Sequence, residues 1–198
     1  MKIEVASDVV CPWCYIGKRR LEKALELVDD VEIELRWLPF QLNPDMPTEG
    51  MPRVEYREAK FGSLERSRAL DARVIAEGKS EGIEFAFDRI ERTPNTTLAH
   101  QLIAAAPDQN KVVDALFRAY FEEAKDIGDA AVLAEIAQQC GVDEWPQKAP
   151  DVSALEEEVR AMGVSAVPTF IFERRTGIAG AYPPEQLAEA IRQASSAR

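Results

Sequence analysis

Residues 7–17 read Ser7-Asp8-Val9-Val10-Cys11-Pro12-Trp13-Cys14-Tyr15-Ile16-Gly17, and this stretch joins two patterns of different period. Before it, Met1-Lys2-Ile3-Glu4-Val5 sets Ile3 and Val5 on one face of a strand expected over residues 2–7. After it, Cys14, Leu21, Leu25 and Val28 recur at helical spacing, so a helix is expected to about Val28. Pro12 suits the first helical position, where its missing N–H forfeits no intrahelical bond. Two cysteines three residues apart therefore sit where a strand turns into a helix.

The next residues extend this unit. Val31, Ile33, Leu35 and Trp37 alternate with Glu32, Glu34 and Arg36, which predicts a second strand over 31–38 with one face in the core. Pro44, Pro47, Gly50 and Pro52 then mark a loop or boundary at 43–53. From about Val54 to Cys140 the pattern is helical throughout, with breaks near Gly82, Thr93-Pro94-Asn95, Pro107-Asp108 and Ile127-Gly128-Asp129. Pro94 followed by Asn95-Thr96-Thr97 reads as a helix start, and Gly141 after Cys140 as a C-cap. A helix over roughly 151–162 precedes Val167-Pro168-Thr169-Phe170-Ile171-Phe172, an apolar β-prone run of the kind central strands carry. A turn at Arg175-Thr176-Gly177, a short strand near 178–181 and a last helix from Pro184 follow. The expected class is α/β, with one domain built from residues 1–43 and 146–198 and an all-α insertion over 44–145.

Of the 198 residues 46% are hydrophobic and 8% aromatic, enough for a packed core. A formal net charge of −11 argues against nucleic acid, whose phosphates need basic patches, and against anionic membrane surfaces. The N-terminal residues enter the first strand directly, and no apolar run of membrane-spanning length occurs, so a soluble cytoplasmic protein is expected. Three cysteines are too few for a disulfide-stapled secreted scaffold. In a reducing compartment a C-x-x-C pair is catalytic or metal-binding rather than structural.

Thiol–disulfide exchange needs a thiolate nucleophile and a second thiol able to displace it from a mixed disulfide. Cys11 falls at the helix N-terminus, where free backbone N–H groups and the macrodipole favour its anion. Cys14 lies one turn further on, on the apolar stripe, within reach of Cys11 and shielded from solvent. The expected roles follow: Cys11 attacks and Cys14 resolves. Half of a zinc site has the same spacing, but a full site needs four ligands. The other candidate ligands, His100 and Cys140, are isolated in the sequence, and Tyr15-Ile16 continues a helix where zinc pairs favour a turn. No metal is expected. Val167-Pro168 is the second notable element: a proline opening a central strand needs either a cis bond or a position whose N–H is not required.

Three blocks, Ser7 to Gly17, Pro39-Phe40-Gln41-Leu42-Asn43-Pro44, and Gly163-Val164-Ser165-Ala166-Val167-Pro168-Thr169-Phe170, occur in the order expected of one family. The sequence resembles the FrnE-like branch of the DsbA family over nearly its whole length. That resemblance implies a thioredoxin-like fold with an α-helical insertion, Cys11 as nucleophile, Cys14 as resolving thiol and a cis Pro168 beside them. It also implies that the Val167 backbone pairs with substrate like an added strand, and Trp13 with Pro168 completes the expected substrate-contact set. Protein or small-molecule disulfides are the implied substrates, with no bound cofactor and glutathione as a candidate co-substrate. Periplasmic DsbA proteins carry an export signal and a histidine between the cysteines, whereas this chain has Trp13 there. Kappa-class glutathione transferases and 2-hydroxychromene-2-carboxylate isomerases share the fold and supply the alternative, a glutathione-dependent isomerase or transferase. They usually have serine where Cys11 stands and lack the second cysteine, so retention of both favours disulfide chemistry.

Other residues have plainer readings. Cys140 ends an apolar helix with Val132, Leu133, Ile136 and Ala137 and is expected to be a buried small hydrophobe. His100, in Asn95-Thr96-Thr97-Leu98-Ala99-His100, reads as a hydrogen-bonded helix histidine, with a position facing the active site as the alternative. Lys18-Arg19-Arg20 is expected to be a solvated face, and Glu156-Glu157-Glu158 a surface run near a helix start.

Overall fold

The computed structural model describes residues 1–196. Along the described chain come β1 (Lys2–Ser7), α1 (Pro12–Glu26), β2 (Glu34–Pro39), β3 (Met51–Pro52), α2 (Arg53–Phe61) and α3 (Leu64–Ser80). Then follow β4 (Arg92–Thr93), α4 (Thr97–Ala105), α5 (Gln109–Phe121), α6 (Ala130–Cys140) and α7 (Ser153–Ala161). The chain closes with β5 (Thr169–Phe172), β6 (Thr176–Ala179) and α8 (Pro184–Ser196). Two compact units result: one combines Met1–Phe40 with the chain from Ser153 onward, the other is Gln41–Val152.

In the first unit the sheet order is β2-β1-β5-β6. β1 runs parallel to β2 and antiparallel to β5, and β5 turns back into β6. The parallel pair is joined through α1, the crossover helix such a pair requires. α1 packs against α8, and α7 against β2. Ile3, Val5, Ile16, Leu21, Phe170, Leu187 and Ile191 form the core between sheet and helices. The ladder of β2 begins at the Lys2–Glu34 pair, so the alternating residues 31–33 lie outside the strand expected to include them.

The β5–β6 hairpin also departs from expectation. Its turn is not at Arg175–Gly177: Phe172 pairs with Thr176, and Glu173 and Arg174 take positive φ values of 52° and 53°. Gly177 instead lies inside β6, where an added Cβ would come within 3.0 Å of the Phe170 carbonyl oxygen. The β5–β6 hairpin is tied to β1 by an ion pair between exposed Arg174 and buried Glu4. Arg174 Nε and Nη2 donate to the Glu4 carboxylate at 2.7 and 3.1 Å, and Arg174 Nη1 reaches Glu158 at 2.6 Å. Burial alone would raise the Glu4 carboxyl, but the hydrogen bonds from Arg174 and Lys2 outweigh it and hold it below its ordinary value.

Two expected surface runs are corrected. Lys18 is buried, its ammonium paired with Glu22 one turn on. Arg19 stacks over the Tyr15 ring at 5.2 Å, and Arg20 donates to the Ala181 carbonyl at 2.6 Å, so Lys18-Arg19-Arg20 is a packed face rather than a solvated one. Glu156 is likewise buried and accepts from Arg160 at 2.8 Å, while Glu157 and Glu158 remain exposed. In each case an i,i+4 partner compensates the buried charge, a pairing that the run of like charges conceals.

The second unit is not helical throughout. β3 and β4 form a two-stranded antiparallel ladder, Met51 opposite Thr93, inside the segment expected to be all α. Strands of two residues are too short to show a period of two, which is why the sequence pattern passes over them. α2 to α6 make up most of the unit, around a core of Val112, Leu116, Phe117, Tyr120 and Phe121. Ser63, Asp108 and Asp129 cap α3, α5 and α6 with side-chain oxygens, and Gly141 at φ 78° ends α6 as its position after Cys140 suggested. Among the described residues no helix is long and apolar enough to cross a membrane.

One close approach within the first unit is testable. A Cβ on Gly17, in the second turn of α1, would fall 2.8 Å from Pro168 Cγ and 3.4 Å from Phe170 Cζ. Neither ring can swing aside cheaply, so Gly17→Ala should lower stability by about 1–3 kcal/mol through overpacking. Urea unfolding followed by far-UV circular dichroism measures this. An unchanged midpoint would show that the contact is slack.

Candidate active site

The strand-to-helix turn supplies the local frame. Cys11 N donates to the Asp8 carbonyl at 3.0 Å, closing the turn after β1, and Cys14 N donates to the Cys11 carbonyl at 3.0 Å, opening α1. Cys11 is the N-cap residue in an extended conformation, φ −92° and ψ 111°, with Pro12 in the first turn. Its own side chain does not cap the helix, so the sulfur is left for other contacts.

Those contacts lie at the entry to β5. The Cys11 Sγ approaches the Val167 carbonyl oxygen at 3.8 Å, and the Val167–Pro168 peptide bond is cis. The entry loop is pinned at both ends: Thr169 Oγ1 donates to the Ala166 carbonyl and Gly180 N to the Pro168 carbonyl, each at 2.7 Å. Pro168 is buried against α1, while Val167 and Trp13 are half-buried. Cys11, Cys14, Val167 and Pro168 are thus assembled from chain segments more than 150 residues apart, with Trp13 on the helical turn between the two sulfurs.

The two thiols differ in their surroundings. Cys11 keeps 5% of its surface and Cys14 1%, and neither is in a disulfide. Burial pushes the Cys14 thiol well above its ordinary value, and the neighbouring Cys11 sulfur pushes it the same way. The Asp8 backbone N–H and the Ser7 hydroxyl act in the opposite sense. At neutral pH such a group is a thiol, held one turn from the less deeply buried Cys11. The geometry suits sequential chemistry, in which one sulfur reacts first and the other is held back. Ser7 and Asp8 were not singled out from the sequence; their position immediately before the turn was the available signal.

His100 and Cys140 belong to the second unit. His100 is buried in α4, its backbone N–H donating to Thr96 O at 2.9 Å. Cys140 is buried at the end of α6 with its Sγ 3.9 Å from the Lys111 carbonyl, and burial raises its thiol. Among the described residues no group of three or more His, Cys, Asp or Glu side chains could hold a metal ion.

Comparison with known proteins agrees with this architecture. Residues 2–192 match the DSBA-like thioredoxin domain. The uncharacterized protein YwbO of Bacillus subtilis (strain 168) is 30% identical over 181 residues, 85% of each chain. The crystal structure of a probable DsbA oxidoreductase from Streptomyces coelicolor superposes with a TM-score of 0.88 at 30% identity, covering 100% of this chain and 91% of the other. The cytosolic disulfide reductase DsbM of Pseudomonas aeruginosa shares the fold at a TM-score of 0.70 and 17% identity, with 100% of both chains covered. Matched along nearly its whole length and carrying two adjacent cysteines at the head of its first helix, the chain belongs to the family of DSBA-like thioredoxin domains.

Proposed function

We propose that this protein exchanges thiols and disulfides through Cys11 and Cys14, as a reductase or isomerase of protein or small-molecule disulfides. The observation that carries this reading is the placement of Cys11 at the head of α1, its Sγ 3.8 Å from the Val167 carbonyl oxygen, with the more deeply buried Cys14 one helical turn on. Cys11 attacks a substrate disulfide and forms a mixed disulfide. Cys14 then attacks the Cys11 sulfur, closing a Cys11–Cys14 disulfide and expelling the second substrate thiol. Access and protonation support this order: Cys11 is the more accessible sulfur, and burial holds Cys14 protonated until the mixed disulfide has formed.

Val167, Pro168 and Trp13 form the substrate-contact surface in this reading. An extended segment passing Val167 would pair with its backbone as an added strand does, gaining affinity without demanding a particular sequence. No charged side chain stands between the cysteines, which suits a broad range of disulfides. Glutathione is the first small-molecule partner to try, since a solved structure of DsbM from Pseudomonas aeruginosa, which shares the fold, is with GSH. A cytoplasmic setting fits, because its glutathione pool would return the protein to the dithiol form.

Insulin reduction by dithiothreitol tests the assignment. Cys11→Ser should bring the rate down to the uncatalysed background, and Cys14→Ser should accumulate mixed disulfides. Limiting iodoacetamide at neutral pH should modify Cys11 well before Cys14. Faster labelling of Cys14 would reverse the two roles. Activity that needs only catalytic glutathione, on an aromatic substrate and with insulin untouched, would instead point to an isomerase of the 2-hydroxychromene-2-carboxylate type, whose fold is shared at a TM-score of 0.71 and 13% identity.

A further inference from the structure

We propose that the Ser7 hydroxyl and the Asp8 backbone N–H form a two-donor pocket that stabilises Cys14 as a thiolate during the resolving step. This deepens, and rests on, the dithiol mechanism above. Ser7 is the last residue of β1 and its backbone is committed to the sheet: it pairs with Pro39, and its carbonyl accepts from Phe40 N at 3.2 Å. The side chain is another matter. Ser7 is buried, and its Oγ has no hydrogen-bond partner of its own. A buried hydroxyl without a partner is unfavourable and rare, so its retention needs a reason. Its neighbours include the Cys14 sulfur, whose hold on its proton the Ser7 hydroxyl and the Asp8 N–H both weaken.

The two donors matter little to a neutral thiol, a weak and diffuse acceptor. They matter greatly to a thiolate, because hydrogen bonds to an ionised acceptor are about twice as strong as neutral ones. Their contribution therefore appears at the moment charge forms on Cys14, as with donors preorganised around a developing anion. Burial and the nearby Cys11 sulfur oppose that charge, so without the donors the step would be slow. In the step itself, Cys14 gives up its proton and its sulfur attacks the Cys11 Sγ of the mixed disulfide. The Cys11–Cys14 bond forms as the bond between Cys11 and the substrate sulfur breaks. The departing substrate sulfur takes the electron pair and picks up a proton, so the two cysteines are oxidised and the substrate disulfide is reduced to two thiols.

The experiment mixes the reduced full-length protein with oxidised glutathione, quenches with acid at intervals and weighs the products. In the wild type a second-order phase should form the Cys11–glutathione mixed disulfide, and a first-order phase should convert it to the internal disulfide. Ser7→Ala removes one oxygen and leaves the β1 ladder in place. It should leave the first phase unchanged, which doubles as evidence of an intact fold, and slow the second by roughly tenfold or more. Ser7→Thr, which keeps the hydroxyl, should recover most of that rate. An unchanged second phase in Ser7→Ala, or a Ser7→Thr variant as slow as Ser7→Ala, would overturn the proposal while leaving the dithiol mechanism standing. A wild-type protein that stops at the mixed disulfide would instead sink the dithiol mechanism, and this proposal with it.

Discussion

Where α1 crosses the entry to β5, the Pro168 ring lies so close to the helix backbone that a side chain at residue 17 does not fit. Gly17 stands there, with the Pro168 ring where its Cβ would be. The contact joins the first turns of the chain to a loop 150 residues later, and the antiparallel β1–β5 ladder continues it from Ala6–Thr169 to Ile3–Phe172. With helix and strand in this register, Cys11 at the head of α1 faces Val167. The site is thus a by-product of packing: two segments that touch as the core closes bring the Cys11 sulfur and the Val167 carbonyl together.

The same turn makes the two sulfurs unlike each other. Three residues on from Cys11, the helix sets Cys14 deeper in the interior, beside Ser7 and Asp8 at the end of β1. A low-dielectric setting penalises charge on Cys14. One motif thereby places its two cysteines in unlike surroundings. The Ser7 hydroxyl and Asp8 N–H then matter for the latent sulfur only, which is why the loss of either would show in one step of the proposed cycle and not in the other.

Much of this was legible in the sequence, for physical reasons specific to each element. β1, α1 and β5 have strong periodicity or a continuous apolar run, and Pro12 and Gly141 punctuate helices where steric rules place them. β3 and β4, two residues each, are too short to carry a pattern. The β5–β6 turn misleads because Gly177 looks like the turn residue, while Glu173 and Arg174 adopt the positive φ values. Lys18 and Glu156 look solvated because a charge's partner four residues away is invisible in a count of like charges. The contact between Gly17 and Pro168 involves residues far apart in sequence and leaves no local signal in either segment.

The most direct test of the Cys11–Cys14 pair is equilibration in glutathione redox buffers, with alkylation and peptide mass spectrometry to identify the bridge. Trp13 brings no positive charge to the Cys11 thiolate, so the reduced form should be less favoured than in DsbA, at about −120 mV, and the couple should lie toward thioredoxin, at about −270 mV. A single two-electron transition at roughly −160 to −250 mV is expected, linking Cys11 to Cys14 while Cys140 remains alkylated as a free thiol. A protein that forms no Cys11–Cys14 bridge at any ratio, or that bridges either cysteine to Cys140, would contradict it.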